Sequence, residues 1–167
     1  MGIKKTFLVF SVLLLSRFCF AQQISFQIVQ HNSTTEEITE QSFILEDLLV
    51  EKFFENGFIV TNSPTVNSNS ESQDESFWKS GLKDAKNGFS NYFIQIKLYF
   101  NQKKNGDEKS FLNKADWSLV STKSEKILKT DSVKILKTDS VKINKLNEDD
   151  ELFFICENIF KSIKKEI

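Results

Sequence analysis

Tyr92-Phe-Ile-Gln-Ile-Lys-Leu-Tyr-Phe100 is the stretch that decides the fold of this chain. Every second residue from Tyr92 to Phe100 is apolar, and all five of them fall on one face of an extended chain. Alternation of this length is typical of a β-strand whose one face packs against a core. We therefore predict a strand here, at the centre of a sheet.

Segments on both sides of this strand predict further strands. Ile24 to Gln30 alternates in the same way, and Phe58 to Thr61 has the composition of a short buried strand. Residues 115–121 place Trp117 and Leu119 on one face. The Asn105-Gly106 pair before them marks a turn.

Three segments predict helices. Thr34 and Glu37 have the spacing of a capping box, which predicts a helix running to about Asn56 with Gly57 just beyond its end. A short helix is expected over residues 77–87, ended by Gly88. The last helix would start after Asn147 and bury an apolar stripe that includes Phe153, Cys156, Phe160 and Ile163.

The predicted fold class is α+β, a mixed α/β arrangement. We expect a small mixed sheet of four to five strands, packed with two long helices and one short helix. Residues 22–167 suit a single domain. Residues 62–76 are rich in Ser, Asn and acids and contain the only proline, which predicts a mobile polar loop.

Residues 1–21 predict a cleavable export signal. Lys4 and Lys5 provide a basic start, and the apolar run over residues 7–15 is far shorter than the roughly 20 residues that span a bilayer. Small residues end the segment, so we expect cleavage between Ala21 and Gln22 and a periplasmic or secreted protein. An N-terminal core helix is the alternative interpretation.

Cys19 leaves a lipid-modified cysteine open. Bacterial lipoproteins usually carry small residues just before that cysteine, whereas Arg17 and Phe18 are charged and bulky. Membrane association is expected only if Cys19 is lipidated, and cleavage after Ala21 would discard it.

Composition excludes several classes of function. Without residues 1–21 the chain has no arginine and a net charge of −4, since that segment holds three of the 22 basic residues and none of the 23 acids. Nucleic-acid binding relies on positive charge and on bidentate guanidinium contacts, so it is not expected. Neither phosphate-binding glycine motifs nor metal-ligand spacing occurs, so no cofactor, metal site or catalytic residue is predicted.

Three single residues are candidates for a functional site. His31 follows the first predicted strand and has no recognisable catalytic partner in the sequence. Cys156 lies on the apolar stripe of the last helix, where a buried, unreactive thiol is expected. Trp78 is either a core residue or a contact residue for a partner.

Residues 126–133, Lys-Ile-Leu-Lys-Thr-Asp-Ser-Val, are repeated without change as residues 134–141. Two copies are too few for a solenoid, so a recent duplication is the simpler interpretation. An even period of eight keeps the faces of an extended strand unchanged, and it would place Ile127 and Val133 on the same face. We therefore predict that the duplication over 126–141 lies in a β segment.

The predicted order of elements resembles the periplasmic α/β domain at the N-terminus of TolB, found in related form in penicillin-binding-protein activators and curli-secretion lipoproteins. Gln95 or a neighbour replaces a glycine usual in the central strand, and no β-propeller follows. The resemblance implies a non-enzymatic module that docks on envelope proteins, and it transfers no site residues. The segments that carry it are Phe43 to Val60, Gly88 to Phe100 with Trp117 to Leu128, and Glu151 to Ile163.

The leading hypothesis is an exported, non-catalytic interaction or assembly module with an envelope protein as partner. The alternative is a small-ligand or lipid-binding domain whose phenylalanines line a pocket. An enzyme with an unrecognised site that uses His31 is the third hypothesis.

Overall fold

The computed structural model of the chain describes residues 21–102, 110–134 and 148–167. One six-stranded mixed sheet and three helices make up this part, which confirms the predicted α+β class. In chain order the elements are β1 (Gln23–His31), α1 (Glu40–Glu55), β2 (Ile59–Asn62), β3 (Val66–Asn67), α2 (Glu71–Asn87), β4 (Tyr92–Gln102), β5 (Ser110–Ser121), β6 (Lys126–Lys134) and α3 (Glu148–Ile163).

The sheet has the order β2-β1-β4-β5-β6, and β3 also pairs with β1. β1 runs parallel to β2, β3 and β4, whereas β4, β5 and β6 form an antiparallel meander. The predicted strand around Tyr92 to Phe100 is β4, and it occupies the middle of the sheet as expected.

The two faces of the sheet differ in chemistry. One face carries Ile24, Phe26, Ile94, Ile96 and Trp117, which form the main core together with the buried sides of α1 and α3. The opposite face is covered by α2, and its own small cluster contains Ala85, Phe93 and Val120. Much of the remaining α2 side is polar, and this is where a cleft forms.

The start of α1 differs from the prediction. The helix begins at Glu40 with Thr39 as its N-cap, five residues after the predicted cap Thr34. The buried side chain of Gln30 explains the shift, because its Oε1 accepts hydrogen bonds from Thr39 N at 2.9 Å and from Ser42 Oγ at 2.9 Å. A polar residue of β1 therefore determines where the helix starts.

The loop predicted over residues 62–76 is shorter in the structure. Val66–Asn67 pairs with β1, and α2 begins at Glu71 rather than near Phe77, so the predicted short helix has 17 residues. The Ser70 side chain accepts a hydrogen bond from Gln73 N, as an N-cap does. The first turns of α2 are mostly exposed and polar, so apolar periodicity could not reveal them.

The ends of α1 and α2 share one geometry but use different residues. Gly57 follows the α1 C-cap with φ +86°, as predicted for a glycine in the left-handed region. In α2, Gly88 is the C-cap with φ −80°, and the next residue, Phe89, takes the left-handed φ of 60°. Ser90 N then donates to Ala85 O at 2.9 Å, which completes a Schellman motif.

The first copy of the duplication forms most of β6, so the structure places it in a strand. A bulge between the Leu119 and Val120 pairs skips Leu128 and reverses the alternation. As a result Val133 packs against the main core while Ile127 lies on the α2 side, which corrects the prediction that both share a face. Residues 135–141 of the second copy lie outside the described residues, as do residues 1–20, the Asn105-Gly106 turn and Asn147.

Deleting residues 134–141 is expected to leave the free energy of unfolding unchanged within about 0.5 kcal/mol. The deletion leaves the sequence of β6 unchanged, because Lys142 then follows Val133 in place of Lys134. Five residues then connect β6 to α3, with a reach of about 20 Å. The contact of Asp131 with Ser162 places the end of β6 roughly 15 Å from the start of α3. This distance follows from the rise per residue of a strand and of a helix and from the spacing between layers.

Chemical denaturation of both forms would check this. The control is a deletion of seven residues, Lys134 to Ser140. It leaves Val141 between Val133 and Lys142, so each following side chain would point to the opposite face of an extended chain. A large loss of stability in the eight-residue deletion would contradict the expectation.

Candidate functional site

A depression with mixed polar and aromatic walls lies between the N-terminal half of α2 and the sheet. We call it the α2 cleft, and it is open to solvent with a volume of about 730 Å³. Its lining residues come from β1, α2 and the strands β4 to β6. They are His31, Asn69, Ser70, Glu71, Asp74, Glu75, Trp78, Gln95, Lys97, Tyr99, Ser118 and Ile127.

The cleft exists because α2 lies close to the sheet at only one end. At Gly81 an added Cβ would lie 2.6 Å from Phe93 Cζ, so helix and sheet are in direct contact there. Towards the start of α2 the larger Trp78 faces the sheet, with its ring 5.7 Å from that of Phe93. The β4 side chains beneath change from Phe93 to Gln95, Lys97 and Tyr99, so the floor becomes polar.

Asp74 connects the helix to the sheet at this site. Its Oδ2 accepts from Lys97 Nζ at 2.6 Å and its Oδ1 accepts from Ser68 Oγ at 2.5 Å. Burial alone would raise the pKa of Asp74, but the hydrogen bonds from Lys97 and Ser68 outweigh it and hold the pKa below its usual value. The carboxylate is therefore ionised and already fully engaged at neutral pH.

His31 lies beside this carboxylate. Its ring stacks on Tyr99 with 4.6 Å between centroids, and its Nε2 is 3.5 Å from Asp74 Oδ1. That separation lies within ion-pair range but is too long for a hydrogen bond, so the buried Nε2 has no hydrogen-bond partner among the described residues. Burial lowers the pKa of His31, and the neighbouring charge of Asp74 offsets this only in part.

Thermal stability is expected to fall as the pH drops from about 6.5, the ordinary pKa of histidine, through the lower pKa of His31 in the folded state. In that interval the unfolded chain binds a proton that the folded chain does not, so acid favours unfolding. A His31→Gln variant should show a smaller decline in Tm between pH 8 and pH 5. Asp74, with its lowered pKa, stays ionised over this range. Equal declines in both proteins would contradict the assignment.

Tyr99 forms the other aromatic part of the floor. Its ring lies between His31 and the ammonium group of Lys114, which is 5.1 Å from the ring centroid. Lys114 also pairs with Asp116 at 2.5 Å. Burial and the negative charges of Asp116 and Asp74 raise the pKa of Tyr99, so its hydroxyl stays protonated at neutral pH.

This geometry does not assemble a nucleophile and a base. Ser68 donates to Asp74 rather than to His31, so the order of contacts differs from that of a hydrolase triad. Lys97 is held by Asp74 in an ion pair. Within the described ranges, no group of three or more His, Cys, Asp or Glu side chains could hold a metal ion.

Two of the three candidate residues from the sequence line the α2 cleft. His31 and Trp78 lie 47 positions apart in the chain, and both line it. The sequence reasoning missed Asp74, Lys97 and Tyr99, whose spacing follows no motif. Lys97 and Tyr99 could have been recognised as the polar positions of the alternating β4 pattern, on the face opposite the core.

Cys156 lies far from this cleft, in the main core, and its Sγ is 3.4 Å from Leu48 O. Burial raises the pKa of the Cys156 thiol to about 12.

Alkylation of Cys156 in the native protein at pH 8 is expected to be about a thousandfold slower than that of a free cysteine, because the thiolate is scarce. Mass spectrometry of the Cys156 peptide would measure the rate, and the denatured protein is the control. Rapid native labelling would contradict the burial of this thiol.

Within the described ranges, no helix has the length and the apolar character needed to cross a membrane.

The fold is similar to that of several solved structures. A PelC dodecamer from Paraburkholderia phytofirmans matches with a TM-score of 0.52 and 9% identity, over 84% of this chain and 85% of that chain. The LpoB C-terminal domain from Salmonella enterica matches with a TM-score of 0.42 and 12% identity, over 76% and 92% of the chains. TolB from Acinetobacter baumannii matches with a TM-score of 0.41 and 13% identity, over 86% of this chain and 28% of that chain.

TolB, whose N-terminal domain the sequence pattern resembles, is thus among the solved structures that match this chain. At these identities the PelC match shows the fold alone. No curated protein matches the chain in sequence. A family model described as "Uncharacterised protein" matches residues 23–167, and the chain belongs to that family.

Proposed function

We propose that the chain is an exported, non-catalytic module of the cell envelope that acts by binding other proteins. The observation that carries this proposal is the set of exposed phenylalanines on the outer surface of the α1 and α3 layer. Phe43, Phe153 and Phe154 are each more than half exposed. Large apolar side chains gathered on one layer, outside an otherwise complete core, are typical of a protein–protein contact surface.

The position of β1 supports export. Gln22 O accepts a hydrogen bond from Ile59 N at 3.0 Å, and β1 begins at the next residue. Cleavage after Ala21 would therefore remove none of the described strands and helices. The PelC structure, which shares the fold, is a dodecamer. An assembly of several copies of this chain is accordingly one form that the proposed protein contact could take.

Site-specific photo-crosslinking in the native host tests the proposal. A photoreactive phenylalanine analogue at Phe154 should give one discrete adduct with an envelope protein or a second copy. The same analogue at Lys83, exposed on the opposite layer, is the matched control and should give none. N-terminal sequencing of the adduct should begin at Gln22. Absence of an adduct from positions 43, 153 and 154 would refute the proposal.

Binding of a small polar ligand in the α2 cleft is the second candidate function. The cleft has about the volume of a small-molecule site and combines the Trp78 ring with polar groups such as Gln95 and Ser118. None of its described lining residues is a phenylalanine, so the α2 cleft is not a phenylalanine-lined pocket of the kind that the composition suggests.

A thermal-shift screen with polar metabolites and saccharides would test this candidate. A ligand that raises the Tm of the wild type and leaves that of a Trp78→Ala variant unchanged would support it. A screen in which both proteins respond alike would count against it.

A further inference from the structure

The C-terminal ends of all three helices lie at the same end of the molecule. Ile59, Gln23, Tyr92, Ser121 and Lys126 form a row across the sheet at this end. α1 ends just before Ile59, α2 ends just before Tyr92, and Lys164 after α3 contacts Asn56 after α1 at 3.1 Å. We call this end the C-terminal pole of the helices.

The most exposed large apolar side chain described is at this pole. Phe89 has 88% of its surface accessible, and Ile59, half exposed, lies at the same end. Phe89 also occupies the left-handed backbone region with φ 60°, where the equivalent residue after α1 is Gly57. A bulky residue is disfavoured in that region, and at Phe89 no burial compensates for the cost. Stability therefore does not explain this phenylalanine.

Positive charge surrounds these apolar side chains. Seven lysines and four acids lie at this pole. They belong to the last turns of the helices, to the segments that follow the helices, to the β5–β6 turn and to the first residue of β6. These are Lys52, Lys86, Lys123, Lys126, Lys161, Lys164 and Lys165, with Glu55, Asp84, Glu125 and Glu166. By contrast, the first turns of the helices, at the opposite end, contain acids and no lysine. Lys52 and Lys161 both pair with Glu157, one turn earlier in α3. With Glu157 counted, lysines still outnumber acids at the pole by two, although the chain after residue 21 is acidic.

A shallow cleft of about 450 Å³ lies beside Phe89 at this pole. Its walls include Lys86, Lys123 and Asn91, whose side chains carry N–H donors suited to an anionic head group. The hydroxyl of Thr122, also in the wall, already donates to Ser90 O and Asn91 O. Lys86 pairs with Glu125, whereas Lys123 has no acidic partner among the described residues. Favourable interaction with helix dipoles accounts for lysines at helix ends, but it does not account for the exposed ring between them.

From this arrangement we propose that the C-terminal pole of the helices docks on an anionic phospholipid surface. Phe89 inserts at the boundary between head groups and acyl chains, and the lysines contact the phosphates. The contact needs no lipid on Cys19, and so it goes beyond the membrane association expected from the sequence.

Vesicle co-sedimentation tests the proposal. The purified protein, with the same N-terminus verified by mass spectrometry in every variant, is mixed with vesicles of phosphatidylglycerol and phosphatidylethanolamine, or of phosphatidylcholine. The wild type should bind the anionic vesicles and release them as salt rises. Phe89→Asn should bind at least about tenfold more weakly, since the apolar side chain is lost. Asn tolerates the left-handed region, so its Tm should not fall.

Phe43→Asn is the matched control, because it removes an exposed phenylalanine at the opposite end and should leave vesicle binding unchanged. Equal binding of wild type and Phe89→Asn would overturn the proposal, as would a wild type that ignores anionic vesicles at low salt. A wild-type dimer without vesicles that Phe89→Asn converts to monomer would assign the pole to a second copy instead, and would also overturn it.

Discussion

Replacing Phe53 by alanine is expected to lower the free energy of unfolding by about 3–5 kcal/mol, the usual range for a phenylalanine in a packed core. Phe53 is only 1% exposed and joins two helices, because its ring lies 5.2 Å from that of Phe160 in α3 and 5.6 Å from that of Phe58. Alanine would leave a cavity where α1, α3 and the sheet meet. A domain of this size has a stability of about 5–15 kcal/mol, so the variant would be marginal.

Phe54→Ala provides a control that differs by a single position. Phe54 is 72% exposed, so its replacement should change the free energy of unfolding by less than about 0.5 kcal/mol. Urea denaturation followed by circular dichroism would measure both variants. Similar losses in the free energy of unfolding for the two variants would contradict the packing of α1 against α3, in which Phe53 is buried and Phe54 is exposed.

The sequence predicted most reliably those elements whose apolar residues repeat along the chain. β4 and α3 follow the prediction because apolar residues repeat along one face of each, and Gly57 marks the end of α1 because a glycine tolerates its positive φ. One residue of the predicted α3 stripe is wrong: Phe153 is 55% exposed, because the buried face of α3 begins at Leu152 instead. The start of α1 could not be predicted in this way. Thr39 caps the helix only because Gln30, nine residues earlier, is buried beside it, which is a tertiary effect.

The end of α2 was placed correctly at Gly88, but the reason was different. The glycine has an ordinary φ, and the residue after it takes the unusual conformation. No rule of turn chemistry predicts a phenylalanine in that position, because such rules describe what stabilises a fold. Departures of this kind are expected where another requirement acts on the residue.

The candidate site was only partly visible in the sequence. His31 and Trp78 were noticed as unusual residues, but their shared cleft results from a parallel β1–β4 pairing and from α2 crossing above it. Asp74 lies in the stretch predicted to be a loop. Its ion pair with Lys97 therefore could not be predicted from the sequence. Single residues can be selected from a sequence, whereas the contacts between them depend on the topology.

Gly81 provides the second large effect. Gly81→Ala is expected to destabilise the fold by about 1–2 kcal/mol, although alanine normally stabilises a helix by about 1 kcal/mol relative to glycine. The new Cβ would lie 2.6 Å from Phe93 Cζ and 2.9 Å from Gln27 Oε1. Phe93 is fully buried against Trp78 and cannot move aside, so overpacking outweighs the gain in helix propensity.

Gly88→Ala separates the two effects, because it also removes a glycine from α2 but meets its nearest atom, Asp84 O, at 3.4 Å with an ordinary φ. Its free energy of unfolding should stay the same or rise slightly. Chemical denaturation of both variants would therefore give changes of opposite sign or clearly different size. If Gly81→Ala proved as stable as Gly88→Ala, the close approach of α2 to β4 would be wrong. The α2 cleft, which depends on that approach at one end, would lose its physical basis.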